Sequence, residues 1–252
     1  LLKLADEMGL QYLATGHYAR IRREPGSAGA VGSAPGCFLM RGAAREKDQS
    51  YALFAVPPEA LPRTLLPVGE FSDKDQVRKF AREQGLCVED KGESQDICFA
   101  SEEGHTELLR QRRPEALRPG RILDSSGAEL GWHDGYGRYT IGQRRGLGVA
   151  AGVPVYVTRI DPETATVTVG PRDEVLSVGL TASDANWHGH VDEEFEATVQ
   201  IRYNHSGAPG RVKILGAGRF EVGFAGPVSA VTPGQAAVVY RGDRLLGGGW
   251  ID

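Results

Sequence analysis

Cysteine is scarce in this chain of 252 residues, and its few cysteines lie far apart. Cys37, Cys87 and Cys98 are odd in number and form no CxxC pair. A zinc site or a disulfide-based fold is therefore not predicted. In a reducing compartment an isolated cysteine is usually a small buried hydrophobic residue, and less often a nucleophile.

Long hydrophobic runs are also missing. No apolar segment approaches the roughly 20 residues that a membrane-spanning helix needs, and no secretory signal opens the chain. We therefore expect a cytoplasmic protein without a membrane partner. The formal net charge of −4 argues against a protein that coats nucleic acid without specificity, although it is compatible with a local basic face.

The first region, residues 1–99, alternates helical and extended patterns. LLKLADEMG at residues 1–9 is typical of a helix body that ends at a glycine, so we expect the chain to lack a preceding N-terminal part. A short strand is predicted at residues 11–14. A capping-box pattern predicts a second helix that begins at Ser72 and stops at Gly85. The alternation predicts an α/β domain with a mostly parallel sheet.

Two further domains are predicted, both rich in strands. Residues 101–173 are expected to form a small, mostly β central domain, in which residues 153–158 and 164–169 form a hairpin. Residues 178–252 carry short strands with glycine turns at even spacing, which predicts a C-terminal β-barrel. Its strands are predicted at residues 195–201, 211–214, 219–224 and 236–241.

The segment TGHYAR at residues 15–20 follows the predicted strand at its carboxyl end, where ligands of open α/β sheets bind. Gly16 would let a nucleotide approach the backbone, and His17 can donate a hydrogen bond to a phosphate or a base. A turn glycine beside a surface histidine is the alternative.

The segment KDQSY at residues 47–51 places a cation, an acid, an amide and an aromatic ring just before an apolar run. Such a set can clamp a phosphate and hydrogen-bond to a base edge. The alternative is that Asp48 only caps a helix that starts at Gln49.

Cys98 lies in the segment ESQDICF at residues 93–99, between two apolar neighbours and after a polar run. A structural thiol would have an apolar neighbourhood on both sides. A polar flank instead favours a thiol that can be loaded with sulfur and can present a nucleophilic outer sulfur to a polarised carbon.

Three later segments carry groups suited to RNA. YTIGQRRGLG at residues 139–148 combines adjacent arginines with glycines that let a backbone lie flat against RNA. Arg202 and Tyr203 place a guanidinium beside an aromatic ring, which suits phosphate pairing and base stacking, or else form an ordinary surface pair of a barrel. Gln235 projects an amide from a turn.

Together the segments TGHYAR, KDQSY, ESQDICF, YTIGQRRGLG, QIRY and PGQAAVVY occur in the order and approximate spacing of the tRNA 2-thiouridylases. The resemblance covers essentially the whole chain. Members of that family replace the C2 oxygen of the wobble uridine of tRNA with sulfur. The resemblance implies a Rossmann-like PP-loop ATP-pyrophosphatase domain of α/β type, a small central domain and a C-terminal β-barrel.

The resemblance also implies a mechanism and the residues that carry it. ATP adenylates the uridine at its C2 oxygen, a sulfur-donor protein delivers sulfur as a persulfide, and a second cysteine helps to release that sulfur through a disulfide bond. Cys98 takes the persulfide role, Gly16 contacts ATP, and Mg²⁺ accompanies the ATP, mainly in the part expected to precede Leu1. The implied tRNA-binding residues are His17, Lys47, Asp48, Gln49, Arg202, Tyr203 and Gln235.

The chain also departs from the family pattern. The glycine-rich SGGxDS loop, which cradles pyrophosphate through backbone N–H groups, and the family's first catalytic cysteine are not among these residues. We therefore expect the chain alone not to adenylate uridine. A non-catalytic tRNA-binding remnant or a split-gene subunit is the alternative. A related PP-loop enzyme such as an argininosuccinate synthetase is disfavoured, because it needs neither Cys98 nor a terminal barrel.

Overall fold

The structure, a computed structural model, describes residues 1–23, 36–86 and 104–252. The described residues divide into two compact units. The first unit takes its residues from Leu1–Val88, Val178–Pro227 and Thr232–Asp252, and the second from Glu89–Ser177 and Val228–Val231.

The N-terminal part of the first unit is a mixture of short helices and strands. Strands β1 and β4 form a parallel pair in which Leu13 lies opposite Thr64. Helix α1 ends before Gly9, which has a φ of 69° and so provides the left-handed residue that commonly follows a helix. The elements of this part are α1 (Leu2–Glu7), β1 (Leu13–Ala14), β2 (Ala19–Arg23), β3 (Cys37–Arg41), β4 (Thr64–Leu65) and α2 (Lys74–Glu83).

Strands β2 and β3 form an antiparallel hairpin. The parallel pairing predicted for this region is limited, in the part of the chain that the structure describes, to β1 and β4. The hairpin pairs instead with a strand at the end of the chain, because Met40 of β3 lies opposite Arg244. A partner about 200 residues away cannot be read from local periodicity.

Helix α2 begins one residue later than the capping-box pattern predicts. The side chain of Asp73, not Ser72, accepts a hydrogen bond from the N–H of Gln76 at 2.8 Å. Asp73 has the extended backbone of an N-cap residue, and its carboxylate also suits the positive end of the helix dipole. Gly85, with a φ of 68°, follows the helix as predicted.

The C-terminal part of the first unit is a closed six-stranded antiparallel barrel. Its strands follow the order β13–β10–β11–β12–β9–β14, and β14 pairs with β13 to close the ring. The predicted barrel is therefore confirmed. The strands are β9 (Leu176–Trp187), β10 (Glu194–Gln200), β11 (Ala208–Gly216), β12 (Arg219–Ser229), β13 (Ala236–Arg241) and β14 (Arg244–Ile251).

One hydrophobic core joins the barrel to the N-terminal part of this unit. Leu39 and Leu61 of the N-terminal part pack in the same buried cluster as Tyr240 and Leu245 of the barrel. Burying a side chain of this size stabilises a fold by about 1.5–3 kcal/mol. The segment that contains Tyr51 is thus fixed against barrel strand β13 by packing.

The second unit contains helix α3 and a four-stranded sheet in the order β6–β5–β8–β7. Strands β7 and β8 form the predicted hairpin, although they begin two to three residues later than the pattern indicates. Buried Ile122, Val157 and Val167 lie in its core. The elements are α3 (Gly104–Arg112), β5 (Gly120–Asp124), β6 (Glu129–His133), β7 (Tyr156–Asp161) and β8 (Thr166–Gly170).

The division into domains at residues 1–99, 101–173 and 178–252 stays a prediction. Among the described helices, none has both the length and the apolar character required to cross a membrane.

Candidate functional site

The segment TGHYAR continues from the carboxyl end of β1. The N–H of Thr15 donates to the carbonyl of Leu65 at 3.0 Å, which extends the parallel pairing by one residue. The hydroxyl of Thr15 lies 2.9 Å from Nδ1 of His17 and fixes the imidazole. Gly16 is exposed, and a Cβ added there would meet no atom within 4 Å. The space beside the Gly16 backbone is therefore open, and the predicted contact of Gly16 with ATP stays a prediction.

Two hydrogen bonds join this segment to KDQSY. The N–H of Gln49 donates to the carbonyl of Tyr18 at 2.9 Å, and the N–H of Tyr18 donates to Oε1 of Gln49 at 3.0 Å. Gly42 permits this approach, because a Cβ at that position would lie 2.6 Å from the carbonyl oxygen of Tyr18. The fold thus brings His17 and the KDQSY segment side by side.

Asp48 lies inside the loop that it helps to build, and only 6% of its side chain is exposed. Its Oδ1 accepts from the N–H groups of Gly42 at 2.9 Å and Ser50 at 3.0 Å. Its Oδ2 accepts from the Arg41 guanidinium and from the Ser50 hydroxyl, each at 2.9 Å. The helix that starts here is a short 3₁₀ helix, Ser50–Leu53, rather than an α-helix beginning at Gln49.

Ser50 and Arg41 both reach Tyr240 of barrel strand β13. The hydroxyl of fully buried Ser50 lies 3.1 Å from that of Tyr240. The Arg41 guanidinium stacks on the Tyr240 ring, 3.6 Å from its centroid, in a cation–π contact. Burial raises the pKa of the Tyr240 hydroxyl well above its ordinary value, so it remains a neutral hydrogen-bonding group.

Tyr51 connects the remaining parts of the site, and its role was not predicted from the sequence. Its hydroxyl donates to the carbonyl of Ala236 at 2.9 Å, directly after Gln235. Its ring meets that of Tyr203 edge to face, with 6.4 Å between centroids. Burial raises the pKa of Tyr51 to about 12, against the smaller opposing effect of the hydrogen bond to Ala236.

The Arg202–Tyr203 turn follows strand β10 and is held by Gln200. Nε2 of Gln200 donates to the carbonyls of Tyr203 at 2.9 Å and Arg202 at 3.3 Å. Its Oε1 is buried and has no hydrogen-bond partner among the residues that the structure describes. Arg202 is half-buried, whereas Tyr203 is 48% exposed and can offer its ring to a base.

A polar groove of about 500 Å³ separates the KDQSY segment from this turn. One wall carries Arg41, Arg45 and Asp48, and the other carries Tyr203 and the residues after it. Its size suits a small polar ligand or one residue of a polymer. The groove combines guanidinium groups, amides and an aromatic edge, which are the groups that bind phosphate and unpaired bases. It is lined by Arg41, Arg45, Glu46, Asp48, Thr198, Gln200, Tyr203, Asn204, His205, Ser206 and Gly242.

Gln235 and Lys47 do not line the groove; they are the sequence neighbours of Ala236 and Asp48. The backbone of Gln235 is fixed by a hydrogen bond from the Ile251 N–H at 2.8 Å, and its side chain is exposed. Lys47 is half-buried and ends a short 3₁₀ helix, Arg45–Lys47. Of the residues predicted to bind tRNA, all seven lie in the first unit.

The YTIGQRRGLG segment lies in the second unit. The Gln143 amide shapes it, because Oε1 accepts from the N–H of Thr140 at 3.1 Å and Nε2 donates to the carbonyl of Arg145 at 2.9 Å. Arg144 and Arg145 are exposed, and Arg144 lines an open cavity of about 670 Å³ with the loop that follows. The backbone turns at Gly142 and Gly146 with positive φ angles.

The three cysteines and the predicted metal ion remain to be placed. Cys98, predicted to carry the persulfide, lies outside the described residues, as does Cys87. Cys37 is a half-buried free thiol at the start of β3. No group of three His, Cys, Asp or Glu side chains suited to a metal ion occurs within residues 1–23, 36–86 and 104–252.

Three family models match successive parts of the chain. They are described as a tRNA methyl transferase HUP domain for residues 1–102, a tRNA methyl transferase PRC-barrel domain for residues 106–171, and an aminomethyltransferase beta-barrel domain for residues 177–251. These matches confirm the predicted order of an α/β domain, a small β-rich domain and a β-barrel.

Curated relatives match over the whole length of the chain. The tRNA-specific 2-thiouridylase MnmA of Carboxydothermus hydrogenoformans is 47% identical over 256 residues, which cover all of this chain and 67% of the relative. The proteins of the same name from Geobacter metallireducens and Rhodopirellula baltica are 45% and 43% identical, with 66% and 62% of their lengths covered. The chain therefore spans about two thirds of the length of these relatives. The alignments cover the whole chain, including the segments that line the groove, at 43–47% identity. The chain therefore belongs to the tRNA-specific 2-thiouridylase family.

Proposed function

We propose that this protein is a tRNA 2-thiouridylase, which replaces the C2 oxygen of the wobble uridine with sulfur in an ATP-dependent reaction. Adenylation at the C2 oxygen provides a good leaving group. The outer sulfur of a persulfide on Cys98 then attacks C2, and the C2–O bond breaks as AMP leaves. The thiolate of the family's other catalytic cysteine, which is not among these residues, then attacks the Sγ of Cys98. The S–S bond to the transferred sulfur breaks, a disulfide forms between the two cysteines, and the sulfur stays on C2. We propose a sulfur-donor protein as the source of the persulfide, and the cytoplasm as the place of reaction.

One observation carries the proposal: Asp48 of the KDQSY segment, together with Arg41 and Arg45, lines a single groove with Tyr203, which lies about 150 residues later in the sequence. Convergence of cationic, amide and aromatic groups is what binding an unpaired nucleotide requires. Because bases in a duplex are stacked and paired, an enzyme that modifies C2 of uridine must hold its target in an unpaired segment.

The roles of individual residues are proposed from the family resemblance, and the place of Tyr203 on the groove supports its role. His17, Lys47, Gln49, Arg202, Tyr203 and Gln235 are proposed to contact tRNA. Gly16 is proposed to contact ATP, and the open space beside it supports close approach of a ligand. Mg²⁺ is proposed to accompany the ATP. A direct tRNA contact by Asp48 stays a prediction, and the four hydrogen bonds that occupy its carboxylate favour an indirect role.

The test is thiolation in cells. The complete natural reading frame that includes this chain is expressed in a bacterial strain without its own 2-thiouridylase, because the chain alone is not expected to adenylate uridine. The amount of 2-thiouridine in purified tRNA is then measured by mass spectrometry. We expect 2-thiouridine to return with the natural gene and to stay absent with Cys98→Ser. Cys37→Ser is the matched control, which we expect to retain thiolation.

Two results would contradict the proposal in different ways. Thiolation that survives Cys98→Ser would exclude the persulfide role of that cysteine. A protein that binds tRNA tightly but never restores 2-thiouridine would support the non-catalytic tRNA-binding alternative. Binding is measured separately, by titrating purified protein with a wobble-uridine tRNA transcript.

A further inference from the structure

We propose that Asp48, Arg41, Ser50 and Tyr240 form a buried positioning network, which fixes the KDQSY segment on the barrel and thereby sets the width of the groove. The inference rests on the proposed function, because the groove matters only if it binds tRNA. It gives Asp48 a role other than direct contact with tRNA, and it adds three residues to the site.

The carboxylate of Asp48 has little capacity left for a ligand. An ionised carboxylate offers about four lone-pair positions. Four internal donors occupy the group: the N–H groups of Gly42 and Ser50, the Ser50 hydroxyl and the Arg41 guanidinium. A base that bound to Asp48 would have to displace one of them, and the small exposed fraction of the side chain leaves little room for that.

The network continues from the loop into the barrel. The Ser50 hydroxyl lies within hydrogen-bonding distance of both the Asp48 carboxylate and the Tyr240 hydroxyl. Arg41 contacts the same two residues. It forms an ion pair with Asp48, and its guanidinium stacks on the aromatic ring of Tyr240. The four side chains therefore form a closed ring of contacts, in which each member holds two others.

Tyr240 also connects the network to the opposite wall of the groove. It lies directly across from Thr198 in the pairing of β13 with β10, and β10 leads to Gln200 and the Arg202–Tyr203 turn. Loss of the four-residue network would let the KDQSY segment shift relative to this turn. Because phosphate and base contacts need fixed geometry, a shift would weaken tRNA binding without removing any group that touches tRNA.

The first test is Tyr240→Phe, which removes the hydroxyl and keeps the ring beneath Arg41. We expect tRNA affinity to fall about three- to tenfold, the effect of losing one buried hydrogen bond. Tyr136→Phe is the matched control, since Tyr136 is a buried tyrosine of the second unit. Affinity is measured at temperatures well below unfolding, so that a lower folded fraction does not imitate weaker binding.

A double-mutant cycle then separates positioning from contact. If Asp48 acts through the network, the losses of tRNA affinity in Asp48→Asn and Tyr240→Phe are strongly non-additive, because either change breaks the same set of contacts. Ser50→Ala serves as a second partner for Tyr240→Phe if Asp48→Asn does not fold. Additive losses in both cycles would overturn the proposal.

The salt dependence of tRNA affinity distinguishes a positioning residue from a residue that contacts phosphate. Lys47→Ala, which removes a proposed phosphate contact, should make the negative slope of log affinity against log salt shallower by about 0.7–0.9. Tyr240→Phe should leave that slope unchanged. A wild-type protein that does not bind tRNA would refute the proposed function itself. Normal binding by wild type, with undiminished affinity in Tyr240→Phe, would refute only the network.

Discussion

Tyr51 shows how one side chain can link segments that the sequence leaves separate. The KDQSY pattern suggests RNA contacts through its cation, acid, amide and aromatic ring, but only the first three residues are among the predicted tRNA-binding residues. In the fold Tyr51 is almost fully buried, with its hydroxyl on Ala236 and its ring against Tyr203. These partners lie 152 and 185 residues away, so only the tertiary structure reveals the link.

The raised pKa of Tyr51 predicts a loss of stability at alkaline pH. The tyrosine of an unfolded chain ionises near pH 10, whereas the folded protein keeps Tyr51 neutral up to a pKa of about 12. Above pH 10 the unfolded state therefore holds fewer protons than the folded state, and the free energy of unfolding falls as pH rises. From this group alone we expect a loss of about 1 kcal/mol between pH 10 and 11.

Urea unfolding of wild type and Tyr51→Phe at pH 8, 10 and 11 measures this effect. The variant should be less stable at pH 8 by about 1 kcal/mol, because Ala236 loses its donor. The difference between the two proteins should shrink at pH 11. Tyr12→Phe, at an exposed position, is the control. A constant difference at all three pH values would mean that Tyr51 ionises normally.

At the scale of elements, strand β14 was not predicted from the sequence. Short strand patterns between glycine turns predicted β10 to β13, and alternating apolar and polar residues predicted the β7–β8 hairpin. Strand β14 contains three consecutive glycines, which are typical of a turn. In the barrel these glycines let neighbouring strands and rings approach. A Cβ at Gly249 would lie 2.5 Å from the carbonyl oxygen of Ser183 and 2.9 Å from the Phe220 ring.

Gly249→Ala should therefore destabilise the barrel strongly. The added methyl would force β14 away from β9, and overpacking of this kind costs about 1–3 kcal/mol. Gly226→Ala in β12 is a matched control, since a Cβ there would meet no atom within 4 Å. Thermal unfolding followed by circular dichroism measures both. Equal unfolding temperatures for the two variants would show that β14 moves aside at no cost.

At the scale of the whole molecule, each of the two units contains a buried neutral histidine. His133 in the second unit accepts from the N–H of Gly135 through Nδ1, so its Nε2 carries the proton that is donated to the Ala165 carbonyl. His188 in the first unit lies 3.0 Å from the Phe54 carbonyl through Nε2. Burial, above all, lowers the pKa of both; Asp134 partly opposes this at His133, whereas Arg244 reinforces it at His188.

These histidines predict that both units lose stability in acid. Below the ordinary pKa of 6.5 the unfolded chain takes up protons at both positions, whereas the folded protein takes them up only at a lower pH, because burial lowers the pKa of both histidines. The unfolded state then binds more protons, so the free energy of unfolding decreases as pH falls, by at most about 1.4 kcal/mol per pH unit for each histidine. Above pH 7 this contribution to stability is fully present.

The measurement is urea unfolding at pH 7.5, 6.5 and 5.5, with amide hydrogen exchange reporting on each unit separately. His188→Gln, whose amide can still donate to the Phe54 carbonyl, should reduce the acid loss in the first unit and leave the second unit unchanged. His190→Gln, at an exposed position two residues away, should change neither. Because the two substitutions remove the same titrating group from buried and exposed positions, only burial distinguishes them. An identical pH profile for His188→Gln and wild type would show that His188 does not couple protonation to folding.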